Sequence, residues 1–203
     1  MSAGLDASGR LNRPGGTLWL IAGPNGVGKT TYARRYLRSL TGGTAFVNLD
    51  EIGRGLSPLE PTPDAETARA AGRIALERLH AAIAARRSVA VETTLAGHTH
   101  RRTVALARAA GMGVRLVFCL LPGVEQALSR IGARVAAGGH AVPEADARRR
   151  FGRAVANFPA YAALADHWVV LDTQMAEPRL AASGPPTAIA DRALAAALPL
   201  TWP

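Results

Sequence analysis

Cysteine is nearly missing: Cys119 is the only one in 203 residues, so the chain can build neither an internal disulfide framework nor a multi-cysteine zinc site. It stands inside the apolar run VRLVFCLL, which makes it a buried, inert thiol rather than a nucleophile. Aromatics are scarce at 5%, and aliphatic side chains must therefore fill most of a core drawn from a 48% hydrophobic composition. No apolar stretch is long enough to span a bilayer. Asp6, Arg10 and Arg13 interrupt any secretory leader, so a cytoplasmic protein with no membrane partner is expected. Acids are also few, 15 against 24 Lys and Arg, which leaves a formal charge of +9. The excess is arginine spread over helix-forming stretches, such as Arg34, Arg35, Arg38, Arg86 and Arg87, without the interleaved aromatics that stack bases. That pattern reads as a solvated surface and argues against nucleic acid.

What the chain does contain is a regular alternation of short apolar runs and longer helical stretches. TLWLIAG, TAFVNLD, SVAVET, VRLVFCLL and HWVVLD are predicted strands, the fourth continuous enough in apolar character to be covered on both faces. Helices are predicted after residue 29, from Asp64 as an N-cap, over 99–110, 124–136 and 144–157. Residues 53–63, with three prolines and two glycines, are expected to be irregular, 173–190 mostly loop, and AIADRALAAAL a last helix. This order implies an α/β fold: a P-loop kinase-like three-layer sandwich with a mostly parallel five-stranded central sheet and an Arg-rich lid. The expected organisation is a flexible N-terminal arm over 1–16, one domain over 17–175, and a C-terminal extension over 176–203 packed on the same domain.

The strongest motif is GPNGVGKTT, in which Gly23, Pro24, Asn25, Gly26, Val27, Gly28, Lys29 and Thr30 satisfy G-x-x-x-x-G-K-[ST] and Thr31 follows. It lies between a predicted strand and a predicted helix, the context that gives the pattern its meaning. Glycines let successive N–H groups face a phosphate at a helix N-terminus. Lys29 is then placed for the β- and γ-phosphates of ATP or GTP, and the Thr30 hydroxyl for Mg²⁺. No NKxD segment specifies guanine, and no apolar strand ends in the Asp-Glu pair of a motor ATPase. Instead two predicted strands end in isolated acids, Asp50 and Glu92. In a parallel sheet those ends line the ligand crevice, where a carboxylate can deprotonate an acceptor hydroxyl or hold Mg²⁺. Around GGHAVP, a hinged basic segment from Arg134 to Arg153 carries Arg148, Arg149 and Arg150, able to close over phosphates; His140 sits at its centre. His98 and His100 flank a helix start and read as local caps.

Taken in order, GPNGVGKTT, FVNLDEIGRGLSP, VAVETTLAG, RVAAGGHAVPEADARRRFGRAVANF and DHWVVLD resemble the zeta toxin family of P-loop kinases, over roughly residues 18–172. The resemblance implies phosphorylation of the 3′-hydroxyl of the amino sugar of UDP-N-acetylglucosamine, with ATP and Mg²⁺ as cofactors and an antitoxin protein as partner. It casts Lys29 and Thr30 as ATP and magnesium residues and Asp50 as general base. Glu92, Thr93 and Thr94 become the acceptor-holding segment, with His140 touching substrate, and Arg134, Arg148 and Arg149 the phosphate clamps. Two other readings stay open from the residues alone. One is a kinase of another small hydroxyl compound, an antibiotic or a nucleoside; the other is an ATP-dependent nucleic-acid-binding regulatory module.

Overall fold

The computed structural model describes residues 15–41, 43–58, 64–139, 141–185 and 188–189. The central strand is β1 (Thr17–Ala22), six residues buried on both faces. β3 (Val89–Thr93) and β4 (Gly113–Leu120) flank it in parallel, β2 (Ala45–Val47) lies outside β3, and β5 (His167–Asp172) outside β4. Two further strands, β6 (Arg179–Gly184) and β7 (Ala188–Ile189), continue the sheet antiparallel beyond β5, giving the order β2-β3-β1-β4-β5-β6-β7. The sheet thus has seven strands, not five, and part of the stretch expected as loop is β6. Of the expected last helix, Ala188 and Ile189 belong to β7, and the rest lies outside the described residues.

Helices cover both faces. The P-loop helix runs through α1 (Lys29–Tyr32), a π-helical segment (Ala33–Leu37) and α2 (Arg38–Thr41), where one regular helix was expected. With α6 (Val124–Ala136) it covers the face bearing Trp19, Ile21, Val117 and Leu171, which Tyr32, Ala33, Leu37 and Ala127 seal. The other face, with Leu18, Leu20 and Phe118, packs under α4 (Ala65–Ala84), α5 (Thr99–Ala109) and α7 (Glu144–Ala162). An aromatic cluster lies here: Phe118 meets Phe158 at 4.8 Å, and Phe158 meets Trp168 edge-on at 5.5 Å. Asp64 caps α4 as expected, accepting from the Thr67 amide.

The main departure near the ligand edge is α3 (Leu49–Leu56). The second strand stops at Val47 rather than running to Asp50, because the Asn48 side chain caps a helix there. Residues 53–56, expected as irregular, belong to that helix, and 59–63 lie outside the described residues. α7 also continues past residue 157 to Ala162, with Pro159 inside it. Among the described residues no helix is long and apolar enough to cross a membrane.

Candidate active site

The loop from Gly23 to Gly28 joins β1 to α1 at the C-terminal edge of the sheet. Its shape demands glycine twice over. Gly23 and Gly26 have φ of 134° and 80°, and a Cβ on them would come within 2.1 Å of the Cys119 carbonyl and 2.4 Å of the Ala127 carbonyl. A side chain on either would push the loop off β4 or α6. Gly28, also left-handed, has open space where its Cβ would stand, and it forms the N-terminus of α1. Val27 is fully buried and anchors the loop from beneath. Asn25 Oδ1 is buried with no partner in the described residues, a missing bond of the kind that a bound group or water completes.

Lys29 and Thr30 meet Glu92 across the β1–β3 pair, whose register sets Ile21 beside Glu92. The Thr30 hydroxyl reaches both Glu92 carboxylate oxygens, at 2.8 and 3.0 Å, and Lys29 Nζ lies 4.0 Å from Oε1 while donating to the Pro24 carbonyl at 2.8 Å. Burial pushes the Lys29 pKa down, helped by the Arg134 charge and opposed by Glu92 and Asp50. Burial likewise pushes Glu92 up, against the pull of Lys29 and the Thr30 hydrogen bond. The two charges hold each other ionised in surroundings that favour neither.

Asp50 is not a strand-end acid. It occupies the first turn of α3, exposed, and its amide donates to Asn48 Oδ1 at 2.9 Å. Its charge nevertheless bears on both Lys29 and Glu92, and its amide is joined to Glu92 through the Asn48 side chain. Asn48, passed over in the sequence reading, is buried and also donates to Glu92 Oε2 at 2.8 Å. A signal for it existed: Asn48 followed by Glu51 has the spacing of a helix-start capping box.

Thr93 and Thr94 lead into the loop after β3, where their hydroxyl oxygens accept from the amides of Leu95 and Ala96. Leu95 is held at φ 54° with its side chain buried. Its carbonyl accepts from Asn157 at 2.7 Å, and the Gly97 carbonyl accepts from the Tyr161 hydroxyl at 3.0 Å, both from α7. An unfavourable backbone state persists when its surroundings fix it this firmly.

The expected lid arginines divide. Arg134, in the last turn of α6, bears on the Lys29 charge. Arg148 instead grips Glu125 on α6 with both guanidinium nitrogens and takes Glu144 with Nε, while Arg149 and Arg150 pair with Asp146 on their own helix. In this structure Arg148, Arg149 and Arg150 are thus engaged by acids of α6 and α7. His140 lies outside the described residues. Nor do the histidines at α5 act as caps: His98 occupies the N-cap position without a side-chain bond, and His100 is half-buried, its buried Nδ1 without a partner among the described residues.

The AAA-domain family profile (AAA_33) matches residues 18–157. The chain belongs to this family of AAA domains. No curated protein matches the chain by sequence. Among solved structures, this AAA-domain protein superimposes on the AvrRxo1-ORF1:ORF2 complex with ATP at a TM-score of 0.71 and 20% identity, over 95% of this chain and 64% of that one. The PezAT toxin–antitoxin system of Streptococcus pneumoniae matches at 0.65 and 14% identity, over 96% and 83%. Shikimate kinase from Acinetobacter baumannii, in complex with shikimate, matches at 0.50 and 19%, over 79% and 84%. The AAA-domain protein spans only 62% to 64% of the AvrRxo1-ORF1 chains it matches. These likenesses establish that it shares the fold of P-loop kinases and of a component of the PezAT toxin–antitoxin system.

Proposed function

We propose that the chain is a Mg²⁺- and ATP-dependent phosphotransferase acting on a hydroxyl of a small metabolite. The observation that carries this reading is the convergence of Lys29, Thr30, Glu92 and Asp50 at one sheet edge, with Thr30 bonded directly to Glu92. A hydroxyl beside carboxylates is a hard-oxygen donor set that suits Mg²⁺. Among the described residues no group of three or more His, Cys, Asp or Glu is placed to hold a metal alone, which fits an ion that takes its remaining ligands from phosphate and water. When bound, Mg²⁺ would be held on the protein side by Thr30 with Glu92 behind it, and would supply neutralisation of phosphate charge.

The roles of the chain's own groups follow. Backbone amides of the loop hold the phosphates, Lys29 follows the charge that moves toward the leaving oxygen, and Arg134 neutralises the transferring group from the α6 side. Asp50, exposed at the front of α3, takes the proton of the acceptor hydroxyl as its oxygen bonds to the γ-phosphorus and the bond to the β-phosphate oxygen breaks. Glu92, committed to Thr30, serves the metal side of the reaction; Thr93 and Thr94 face the acceptor. UDP-N-acetylglucosamine is the first acceptor to test, on the strength of the motif resemblance, and an antitoxin the first protein partner, as in the PezAT system. Of the α7 arginines, Arg148, Arg149 and Arg150 pair with Glu125, Glu144 and Asp146, which weakens the nucleic-acid reading.

The decisive experiment incubates the protein with γ-labelled ATP and a metabolite extract, with UDP-N-acetylglucosamine alone in parallel, and identifies the labelled product by mass. Label should enter one small hydroxyl compound and vanish with Asp50→Asn. Transfer to no small molecule, or undiminished transfer by the variant, would reject the assignment.

A further inference from the structure

β2 and β3 run parallel with Val47 beside Val91, so the residues that follow stand side by side, Asn48 just past the end of β2 and Glu92 still within β3. Glu92 turns toward the P-loop and receives the Thr30 hydroxyl. Asn48 starts α3, and Asp50 stands two residues into it. We infer that Asn48 is a positioning residue that couples the nucleotide half of the site to the acceptor half, because one buried amide holds both the carboxylate bonded to Thr30 and the helix turn that carries Asp50. The inference rests on the phosphotransfer reading for the roles of Thr30 and Asp50.

Both ends of the amide are engaged. Oδ1 accepts from the amides of Asp50 and Glu51 at 2.9 and 3.1 Å, and Nδ2 donates to Glu92 Oε2 at 2.8 Å. Only three contacts separate the Thr30 hydroxyl from the Asp50 backbone. A helix cap alone does not require asparagine, since serine and aspartate cap as well. What asparagine adds is a donor on the same short side chain that supplies the cap acceptor. Aspartate offers no donor when ionised and sets a second negative charge against a carboxylate already short of water. Serine is too short to reach across to β3. Asn48 is 4% exposed, so neither bond is readily replaced by solvent. When Thr30 turns its oxygen toward an ion, the Glu92 carboxylate must adjust, and the amide passes that adjustment to the first turn of α3.

The test uses the full-length protein, with amide hydrogen exchange of α3 measured with and without Mg·ATP, and Mg·ATP binding followed by calorimetry. In the wild type, Mg·ATP should slow exchange of the Asp50 and Glu51 amides by about fivefold or more, since their opening is tied to the Glu92 contact. In Asn48→Ser, protection without nucleotide should stay within about twofold because the cap survives, but the response to Mg·ATP should disappear. Asn48→Asp, closer in size, is the second variant and should behave alike. With an acceptor in hand, both should lose about tenfold in kcat with little change in acceptor KM, as a group acting on the transition state does. A wild-type α3 indifferent to bound Mg·ATP, or a variant that responds as fully as wild type, overturns the coupling. Loss of basal protection in both variants reduces Asn48 to a helix cap and also overturns it. Absence of Mg·ATP binding, or a responsive α3 in a protein that phosphorylates nothing, counts against the phosphotransfer reading instead.

Discussion

The two basic regions of this molecule invite comparison, because one is a single lysine and the other a run of arginines. Lys29 is 6% exposed, tied to the loop that it belongs to, and faced by a buried carboxylate. Arg148, Arg149 and Arg150 are far more exposed, and each satisfies itself on an acid of α6 or α7. Burial makes the first charge costly and therefore committed to a partner of opposite sign. Exposure makes the others cheap, and ion pairs formed in water contribute little. Density of charge along the chain thus marks a surface here, while the isolated charge marks the site.

Lys29→Ala gives the sharpest break. Phosphotransfer should fall below detection, and the melting temperature should fall as well, because Glu92 loses its buried partner and the Pro24 carbonyl its donor; product formation beside thermal melting checks both halves. Next comes the contrast between arginines. Arg134→Ala should lower kcat by about 10²-fold, the usual cost of losing one donor to developing charge, with Mg·ATP affinity less affected. Arg148→Ala should leave kcat within about twofold, because surface pairs contribute little, and lower the melting temperature slightly. Steady-state kinetics on both variants settle it, and equal losses of kcat would dissolve the distinction drawn above.

Glu92→Gln probes which half of the reaction the buried acid serves. The Mg²⁺ concentration for half-maximal rate should rise by about tenfold, as for a group that supports a metal ligand, while acceptor KM moves less. The reverse pattern would return Glu92 to the acceptor. The smallest effect concerns His100, whose pKa burial pushes down to about 4 from 6.5. Its folded pKa lies below the unfolded one, so the unfolded chain takes up the proton first. The neutral ring therefore costs nothing above pH 6.5, and stability falls as pH drops from there toward about 4, by up to about 3 kcal/mol at 1.36 kcal/mol per unit. Denaturant titrations across that range should show a shallower loss for His100→Leu.

Local chemistry made much of this legible in the sequence. The P-loop glycines need positive φ whatever the fold around them, and Pro122 and Gly123 announce α6 one residue ahead of its start. Asp64 likewise marks α4 by its own hydrogen bond. The misreadings share a different cause. α3 contains Gly53 and Gly55 and precedes several prolines, so propensity speaks against it; the Asn48 cap and its packing on α4 hold it in place. β6 is RLAASG, with no apolar alternation, and becomes a strand because β5 offers it a free edge. Arg148 pairs with Glu125, 23 residues away along the chain, which no local pattern shows. The deciding partners lie on other elements: α4 for α3, the β5 edge for β6 and α6 for Arg148. Asn48 itself was legible as a cap, but its bond to Glu92 depends on strand register.

The loop after β3 carries a lesson about modularity. Leu95 keeps its left-handed backbone because Asn157 and Tyr161 hold the carbonyls on either side of Ala96 from α7, more than sixty residues later in the chain. The loop and its mould are therefore encoded apart. Transplanting TTLAGH into a related scaffold would carry its letters without its curvature, and a recombination joint placed between β3 and α7 would separate the two. A swap of this loop between relatives needs to move α7 together with it.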